Sequence, residues 1–290
     1  MNKLSRELLT SAHWGTYEVK VSNGKVTALN CFREDEDPSP IGSGIVDVMD
    51  GPTRINAPMV RKSWLENGPG SNTKQRGSDE FIQVTWEEVS KLVANELNRV
   101  RNDYGNDAIF AGSYGWASAG RFHHAQSQLK RFLNCIGGYT SSVNTYSFAA
   151  AEVVVPHILG SFREHLDSCT SWESVSENCE LFVALGGTPL KNGQISQGGT
   201  GNHIQRNSLF KAHESGVKFV NVSPLRSDID DRIDADWISL RPSTDTAFLL
   251  ALAHTLIVEN LVDLPFVNIY TVGFEEFSKY FSVIIGSISI

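Results

Sequence analysis

The segment GSYGWASAG, residues 112–120, places a tyrosine and a tryptophan two positions apart among glycines, directly after the apolar run AIFA. Glycines allow unusual backbone conformations and a close approach to a ligand. Tyr and Trp each combine a large apolar ring with one polar hydrogen, and a loop that displays both is typical of a lined pocket. Tyr114 and Trp116 are therefore candidates for ligand contact.

Two more polar loops follow predicted strands. Lys191 lies in GGTPLKNG after the strand ELFVAL, where a cation on a glycine-flanked loop suits a phosphate group. Asp245 ends RPSTD after the strand ADWISL, and its carboxylate suits the N–H groups of a purine. Ordinary roles stay open for both, because exposed lysines and helix-capping aspartates are common.

The elements that must position these loops alternate between strands and helices from about residue 84 onward, which indicates βαβ units and a mainly parallel sheet. Ligands on such sheets bind beyond the carboxyl ends of the strands, where GSYGW, GGTPLKNG and SPLRSD all fall. The predicted fold class is α/β. A small β-rich domain (1–58) precedes two parallel-sheet α/β domains (59–180 and 181–290), and the second is incomplete at its C-terminus.

Local patterns add detail to this outline. Asn23-Gly24 between alternating strands predicts a hairpin, and Thr85 with Glu88 predicts a capping box at the start of a helix. AIFAGS is predicted as a buried strand, and AAEVVVPHILGS as a helix interrupted near Pro156. TDTAFLLALAHTLIVENL is apolar nearly all round, which predicts a buried helix. The final FSKYFSVIIGSISI predicts no closing helix, as expected of a truncated chain.

The composition excludes several classes of protein. A formal net charge of −8 argues against sequence-independent binding of nucleic acid. There is no signal-peptide pattern and no apolar run of the ~20 residues that a membrane span needs. The predicted location is the cytoplasm as the sequence stands, or the periplasm if an export signal once preceded Met1. Four dispersed cysteines without a CxxC pair predict reduced, partly buried thiols and no iron–sulfur cluster in this segment.

Familiar site motifs are also absent. His123 and His124 are adjacent and would point in different directions on a helix, so they are not a metal pair. DIDDRIDAD, from Asp228 to Asp236, lacks the glycine and glutamate of a calcium loop. Neither a P-loop nor GxGxxG occurs, which counts against an ordinary nucleotide-dependent α/β enzyme.

Taken together, ordered segments along almost the whole chain resemble the dimethyl sulfoxide reductase family of molybdenum enzymes. The match is to the cluster-free branch of dimethyl sulfoxide, trimethylamine N-oxide and biotin or methionine sulfoxide reductases. The segments are SAHWG (11–15), PMVRKSWLE (58–66), VTWEEV, FAGSYGW (110–116), YS (146–147), PHILGS (156–161), TSW (170–172) and TD…ALAHTL (244–256).

The resemblance implies a cofactor and the residues that bind it. The cofactor is molybdenum held by two molybdopterin guanine dinucleotides, a bis(molybdopterin guanine dinucleotide), and by one protein side chain. The protein ligand falls on Ser147 of the Tyr146-Ser147 pair, whose alkoxide suits a hard, high-valent metal. The same resemblance places Tyr114 and Trp116 over the metal. It assigns Lys191 and Asn192 to a pterin or its phosphates, Val222 and Ser223 to the flank of a nucleotide, and Ser243, Thr244 and Asp245 to a guanine.

The implied reaction transfers an oxygen atom from a small-molecule S-oxide or N-oxide to the metal, with Tyr114 polarising that oxygen and electrons coming from an external donor. Two departures stand out: Phe148-Ala149 where the family commonly has Thr-Gly, and Ser223 where an acidic residue commonly follows the strand. Family members are far longer, so the chain corresponds to an N-terminal portion that we expect to be inactive alone. A non-catalytic truncated remnant and a nucleotide-dependent α/β enzyme are the alternatives.

Overall fold

The structure, a computed structural model, describes residues 8–113, 124–196 and 199–286, with side chains described as far as Phe281. These residues form two compact units. Unit 1 comprises Met1–Val175 and Leu190–Leu209, and unit 2 comprises Ser176–Pro189 and Phe210–Ile290. The predicted domain boundaries at 58/59 and 180/181 stay predictions.

The described strands are β1 Leu8–Ala12, β2 Gly15–Ser22, β3 Lys25–Cys31, β4 Met59–Arg61, β5 Phe81–Gln83, β6 Leu181–Leu185, β7 Lys218–Ser223 and β8 Asp236–Ser239. The described α-helices are α1 Ile45–Met49, α2 Lys62–Asn67, α3 Trp86–Tyr104, α4 Ala125–Cys135, α5 Ala149–Leu159, α6 Phe162–Asp167, α7 Trp172–Asn178, α8 Leu190–Gly193, α9 Gln205–Glu214, α10 Asp245–Val258, α11 Leu264–Tyr270 and α12 Phe274–Gly286. This mixed α/β content confirms the predicted fold class.

Unit 1 begins with an antiparallel sheet in the order β1-β2-β3. The hairpin between β2 and β3 turns at Asn23 (φ 51°) and Gly24 (φ 77°), the two left-handed positions of a tight turn. Strands β4 and β5 pair separately, and α3 starts with the predicted capping box between Thr85 and Glu88. Both local predictions are confirmed, because each depends only on residues that are close together in the chain.

Unit 2 is built on a parallel sheet in the order β6-β7-β8. Its core residues include Phe219, Val222 and Ile233, which are almost fully buried. The carboxyl ends of all three strands meet at one edge, as the predicted βαβ units require. Loops 186–189, 224–235 and 240–244 leave the sheet at that edge.

Five sequence predictions differ from the structure. AIFAGS forms a single parallel bridge, Phe110 to Thr140, instead of a strand. Helix α5 continues through Pro156 and is not interrupted there, since a proline removes only one backbone N–H from the helix. Residues 274–286 form helix α12, where Phe277 and Phe281 pack ring to ring, so the prediction of no closing helix is wrong. Three of the four cysteines are exposed.

The fifth difference concerns helix α10, which is not buried among the described residues. Leu252 is 50 % exposed and Val258 61 % exposed, while His254 stacks on Phe281. An all-apolar surface predicts burial only when packing partners exist on every side, and the described part of unit 2 supplies them on one side. No described helix combines the length and the apolarity needed to cross a lipid bilayer.

We expect Gly42→Ala to destabilise unit 1 by about 1–3 kcal/mol, the usual cost of overpacking. Gly42 lies against the ring of Tyr17, which is 2 % exposed, and an added Cβ would overlap the ring carbons. Burial also raises the pKa of Tyr17. Urea unfolding monitored by tyrosine fluorescence measures the loss.

Gly44→Ala is the matched control, because Gly44 ends the short 3-10 helix Pro40–Gly44 that also contains Gly42. Gly44 has φ −73° and nothing within 4 Å of an added Cβ. We expect a change below about 0.5 kcal/mol for Gly44→Ala. Equal effects of the two substitutions would contradict the steric argument.

Candidate functional site

A cavity of about 370 Å³ lies in unit 1, between the residues after Ile109, the face of α4 and the loop 139–146. Backbone hydrogen bonds from Ala111 N to Thr140 O (3.0 Å) and from Thr140 N to Ile109 O (2.8 Å) hold two of its walls together. The Asn106 side chain donates to the carbonyls of Ile136 (3.2 Å) and Gly138 (2.8 Å) and so fixes the chain reversal that follows α4. The cavity is therefore a product of long-range backbone pairing.

The loop that carries Tyr146 and Ser147 forms one side of this cavity. Asn144 adopts a left-handed backbone conformation (φ 65°), which is uncommon for a residue other than glycine and is enriched at functional sites. The backbone N–H of Thr145 donates to Glu152 of α5 (3.0 Å), which ties the loop to the helix that follows it. Tyr146 lines the cavity and is 82 % exposed.

Ser147 lies two residues before the start of α5 and is exposed. Its hydroxyl makes no hydrogen bond to the part of the chain that the structure describes. Phe148, where the family resemblance has a threonine, packs on Phe162 with ring centroids 5.5 Å apart. The bulky residue therefore has its own packing partner.

Tyr114 and Trp116 lie outside the described residues, so their predicted roles stay predictions. Ser113, the last described residue before them, lines the cavity together with Gly112. Gln126 and Lys130 of α4 line it as well, and the sequence alone indicates no role for either residue. Their helical spacing of four was visible in the sequence, but nothing there placed this face of α4 toward Tyr146.

Lys191 and Asn192 lie in the short helix α8 of unit 1, and both are exposed. A buried ion pair anchors the segment around them: the His203 ring lies 2.7 Å from Asp35 through Nδ1 and 3.1 Å from the carbonyl oxygen of Gln194 through Nε2. Both side chains of this pair are at most 2 % exposed. One ring nitrogen of His203 thus faces a carboxylate oxygen, and the other faces a carbonyl oxygen.

More polar contacts support this anchor. Arg206 donates to Asp37 (2.8 Å), Asn207 donates to Glu36 (2.5 Å), and Gln194 donates to the carbonyl of Asp37 (3.1 Å). The acidic run 34–37 thus holds in place, through these contacts, the segment 191–207 that carries the two predicted pterin-binding residues. This role cannot be predicted from the sequence, since the partners are more than 150 positions apart and only the charge of the run is visible there.

In unit 2, Val222 and Ser223 end strand β7 and are 2 % and 1 % exposed. The Ser223 hydroxyl donates to the carboxylate of Asp228, and the Ser223 carbonyl accepts from Trp237 Nε1 (2.9 Å). Any contact of Val222 and Ser223 with a nucleotide would therefore run through the loop that follows them. Their predicted role stays a prediction.

Ser243, Thr244 and Asp245 occupy the loop that joins β8 to α10. Ser243 is left-handed (φ 68°), and the Thr244 hydroxyl donates to the carbonyl of Arg241 (2.6 Å). Asp245 is the first residue of α10, a 14-residue helix, and its carboxylate is exposed. A left-handed turn held by a hydrogen bond, followed by an exposed carboxylate at the carboxyl edge of a parallel sheet, is suited to binding a small polar ligand. Within the described ranges, no three His, Cys, Asp or Glu side chains cluster as a metal site would require.

Comparison with known proteins shows that these loops lie within regions that match a protein family. The family described as "Molybdopterin oxidoreductase" matches residues 54–283, and "Molybdopterin oxidoreductase N-terminal domain" matches residues 10–50. The matched ranges contain every predicted site residue.

Similar curated proteins are reductases. The dimethyl sulfoxide/trimethylamine N-oxide reductase of Cereibacter sphaeroides is 38 % identical over 274 residues, which cover 94 % of this chain and 33 % of the relative. The trimethylamine-N-oxide reductase of Pasteurella multocida is 37 % identical over 280 residues, with the same two coverages. The biotin sulfoxide reductase of Cereibacter sphaeroides is 39 % identical over 249 residues, which cover 86 % of this chain and 34 % of the relative. The chain thus spans about a third of the length of these relatives.

Proposed function

The chain belongs to the molybdopterin oxidoreductase family, and from this membership we propose that it forms the N-terminal portion of an enzyme that reduces S-oxides or N-oxides. The relatives named above are reductases of dimethyl sulfoxide, trimethylamine N-oxide and biotin sulfoxide. The observation that carries the proposal is Ser147: an exposed hydroxyl, not engaged by the described residues, that directly follows Tyr146, a residue lining a cavity of about 370 Å³.

The residues present fit a molybdopterin cofactor of the guanine dinucleotide form. Ser147 would ligate the metal through Oγ after its hydroxyl proton has left. Lys191 and Asn192 are exposed and anchored by the buried pair, so they are available to hold a pterin or its phosphates. The strained Ser243 turn and the carboxylate of Asp245 would hold a guanine, because a carboxylate accepts from the N–H groups of that base.

When bound, the cofactor supplies the two-electron redox chemistry that breaks an S=O or N–O bond. The chain's own residues would orient the substrate: the Tyr114 O–H and the Trp116 N–H would donate hydrogen bonds to the substrate oxygen, and Tyr114 would polarise it. Each turnover consumes two electrons and two protons and releases one water with the sulfide or amine. The electrons would come from an external donor.

A chimera tests this function: residues 1–290 replace the matching third of the Cereibacter sphaeroides dimethyl sulfoxide/trimethylamine N-oxide reductase. We expect the purified chimera to contain molybdenum, to release GMP on acid hydrolysis, and to oxidise a reduced viologen dye when a sulfoxide or N-oxide is added. The parent reductase, prepared in parallel, is the positive control.

Two other results would overturn the proposal. A folded chimera without molybdenum, beside a loaded parent, would identify the chain as a non-catalytic remnant. Binding of NAD by residues 1–290, together with no pterin in the chimera, would identify an ordinary nucleotide-dependent α/β enzyme.

A further inference from the structure

Asp228 supplies a carboxylate at the carboxyl edge of the parallel sheet in unit 2. It lies five residues after the end of β7 and is half-buried. Its Oδ2 accepts a hydrogen bond from the Ser223 hydroxyl. Its Oδ1 accepts none from the residues that the structure describes. One oxygen of the carboxylate is therefore fixed, and the other is available to a ligand.

The loop that follows β6 holds Asp228 in position. Thr188 N donates to the carbonyl of Asp228 (2.7 Å), and Gly187 (φ 77°) lies so close that an added Cβ would overlap the Cβ of Asp228. Gly186 N donates to the carbonyl of Val222 (2.9 Å), which closes the same loop onto β7. Ordinary surface aspartates have no such support, and groups that bind ligands gain most from being fixed beforehand.

The arrangement follows the general plan of nucleotide sites on doubly wound sheets. There, a glycine-rich loop after the first strand approaches the phosphates, and a carboxylate after the second strand accepts hydrogen bonds from the ribose hydroxyls. Here the Gly186-Gly187 loop follows β6, and Asp228 follows β7, the middle strand of β6-β7-β8. Ser243 and Asp245 follow β8 at the same edge.

The contacts of the neighbouring polar side chains show which residue at this edge is available to accept hydrogen bonds from ribose hydroxyls. Ser223 ends β7 but is 1 % exposed, so its hydroxyl is used inside the protein. Asn221 is fully buried, and its Nδ2 donates to the carbonyls of Leu225 (3.3 Å) and Arg226 (3.2 Å), which shapes the turn leading to Asp228. The buried polar residues of β7 thus hold the Asp228 carboxylate in position, and their own polar groups are not exposed to a ligand.

We propose that Asp228 accepts hydrogen bonds from the ribose hydroxyls of a guanine nucleotide bound at this edge of the sheet. The inference rests on the proposed function for the guanine site at Ser243–Asp245. It adds a specificity-determining residue, one that distinguishes a ribonucleotide from a nucleotide without the ribose hydroxyls. A site built to hydrogen-bond a hydroxyl discriminates strongly against a ligand that lacks it.

The test measures binding of GMP and 2′,3′-dideoxy-GMP to the 290-residue chain by isothermal titration calorimetry. We expect the wild-type chain to bind GMP about tenfold or more tightly than the dideoxy nucleotide, because the acceptor is charged. Asp228→Asn should bind both nucleotides with the affinity that the wild type shows for the dideoxy form. Asp231→Asn, which makes the same charge change at an exposed carboxylate three positions away, should keep the wild-type preference.

The outcomes separate this inference from the proposed function. A wild-type chain that binds the two nucleotides equally, or an Asp228→Asn variant that keeps the preference, overturns the role of Asp228 alone. A wild-type chain that binds neither nucleotide overturns the guanine site and the ribose contact together. If circular dichroism shows Asp228→Asn to be unfolded, Asp228→Glu takes its place, since the added methylene displaces both oxygens while the charge stays. An unchanged preference in Asp228→Glu likewise overturns the proposal.

Discussion

Replacing Ser147 with alanine in the chimera is expected to lower the rate of sulfoxide or N-oxide reduction by more than about 100-fold, since even residues that only orient metal ligands contribute 10–100-fold. The reason is the loss of the one protein oxygen that we assign to the metal. The molybdenum content of the purified variant, measured by mass spectrometry, should fall in parallel. Reduction rates with a viologen dye complete the measurement.

Ser142→Ala is the matched control for this substitution. Ser142 is an exposed serine that lines the same cavity, and it has no assigned role at the metal. We expect its rate to stay within a few-fold of the parent chimera. If Ser147→Ala keeps both the parent rate and the parent molybdenum content, the ligand is a different residue.

The second large effect concerns stability: Asp35→Ala is expected to destabilise unit 1 by about 3–5 kcal/mol. The substitution leaves the His203 ring buried without its acceptor, and it also removes the acceptor of the His203 backbone N–H (3.0 Å). Breaking one side of a buried ion pair costs far more than the pair contributes when intact. Urea unfolding of the whole chain measures the change.

Glu34→Ala controls for the loss of one negative charge in the same acidic run. Glu34 is exposed, and its contact with Arg33 is long (4.0 Å), so we expect a cost below about 1 kcal/mol. The double variant Asp35→Ala/His203→Ala should lose less than the sum of its single variants, because the two residues interact directly. Equal costs for Asp35→Ala and Glu34→Ala would show that His203 does not depend on its carboxylate.

Much of the architecture could be predicted from local pattern. The Asn23-Gly24 hairpin and the Thr85–Glu88 capping box are confirmed because each is decided within a few residues. The parallel strands β6, β7 and β8 are confirmed because short apolar runs alternate with helical stretches. These sequence patterns depend on residues close together in the chain, and they predict structure well where those residues determine it.

The incorrect predictions concern elements whose structure or burial depends on residues that are distant in the chain. Helix α12 was missed although Phe274, Phe277 and Phe281 recur at helical spacing in the sequence. Helix α10 was predicted to be buried from its composition, although burial depends on which other elements pack against it. The bridge from Phe110 to Thr140 replaced a strand for the same reason, since strand length depends on the partner.

The candidate site shows the same division. Ser147, Lys191 and Asp245 could be named from the sequence because their loops resemble those of a family. The supports of those loops could not be named: the His203–Asp35 pair joins residues 168 positions apart, and the contact of Asp228 with Gly187 depends on two loops meeting at a sheet edge. The residue types in the sequence indicate candidate ligand-binding residues. The residues that hold their loops in position are known only from tertiary contacts.

The distance along the chain between Asp35 and His203 has a consequence for how the protein is made. At about 5–20 residues per second, a ribosome needs roughly 10–30 s to add the residues that separate the two partners. Throughout that interval Asp35 lacks its partner His203. Because residues 176–189 of unit 2 are synthesised within the same interval, unit 1 cannot be completed before part of unit 2 has been made. Synonymous codons that slow translation between positions 35 and 203 would therefore lengthen the exposure of an unfinished first unit, and they would do so without changing a single amino acid.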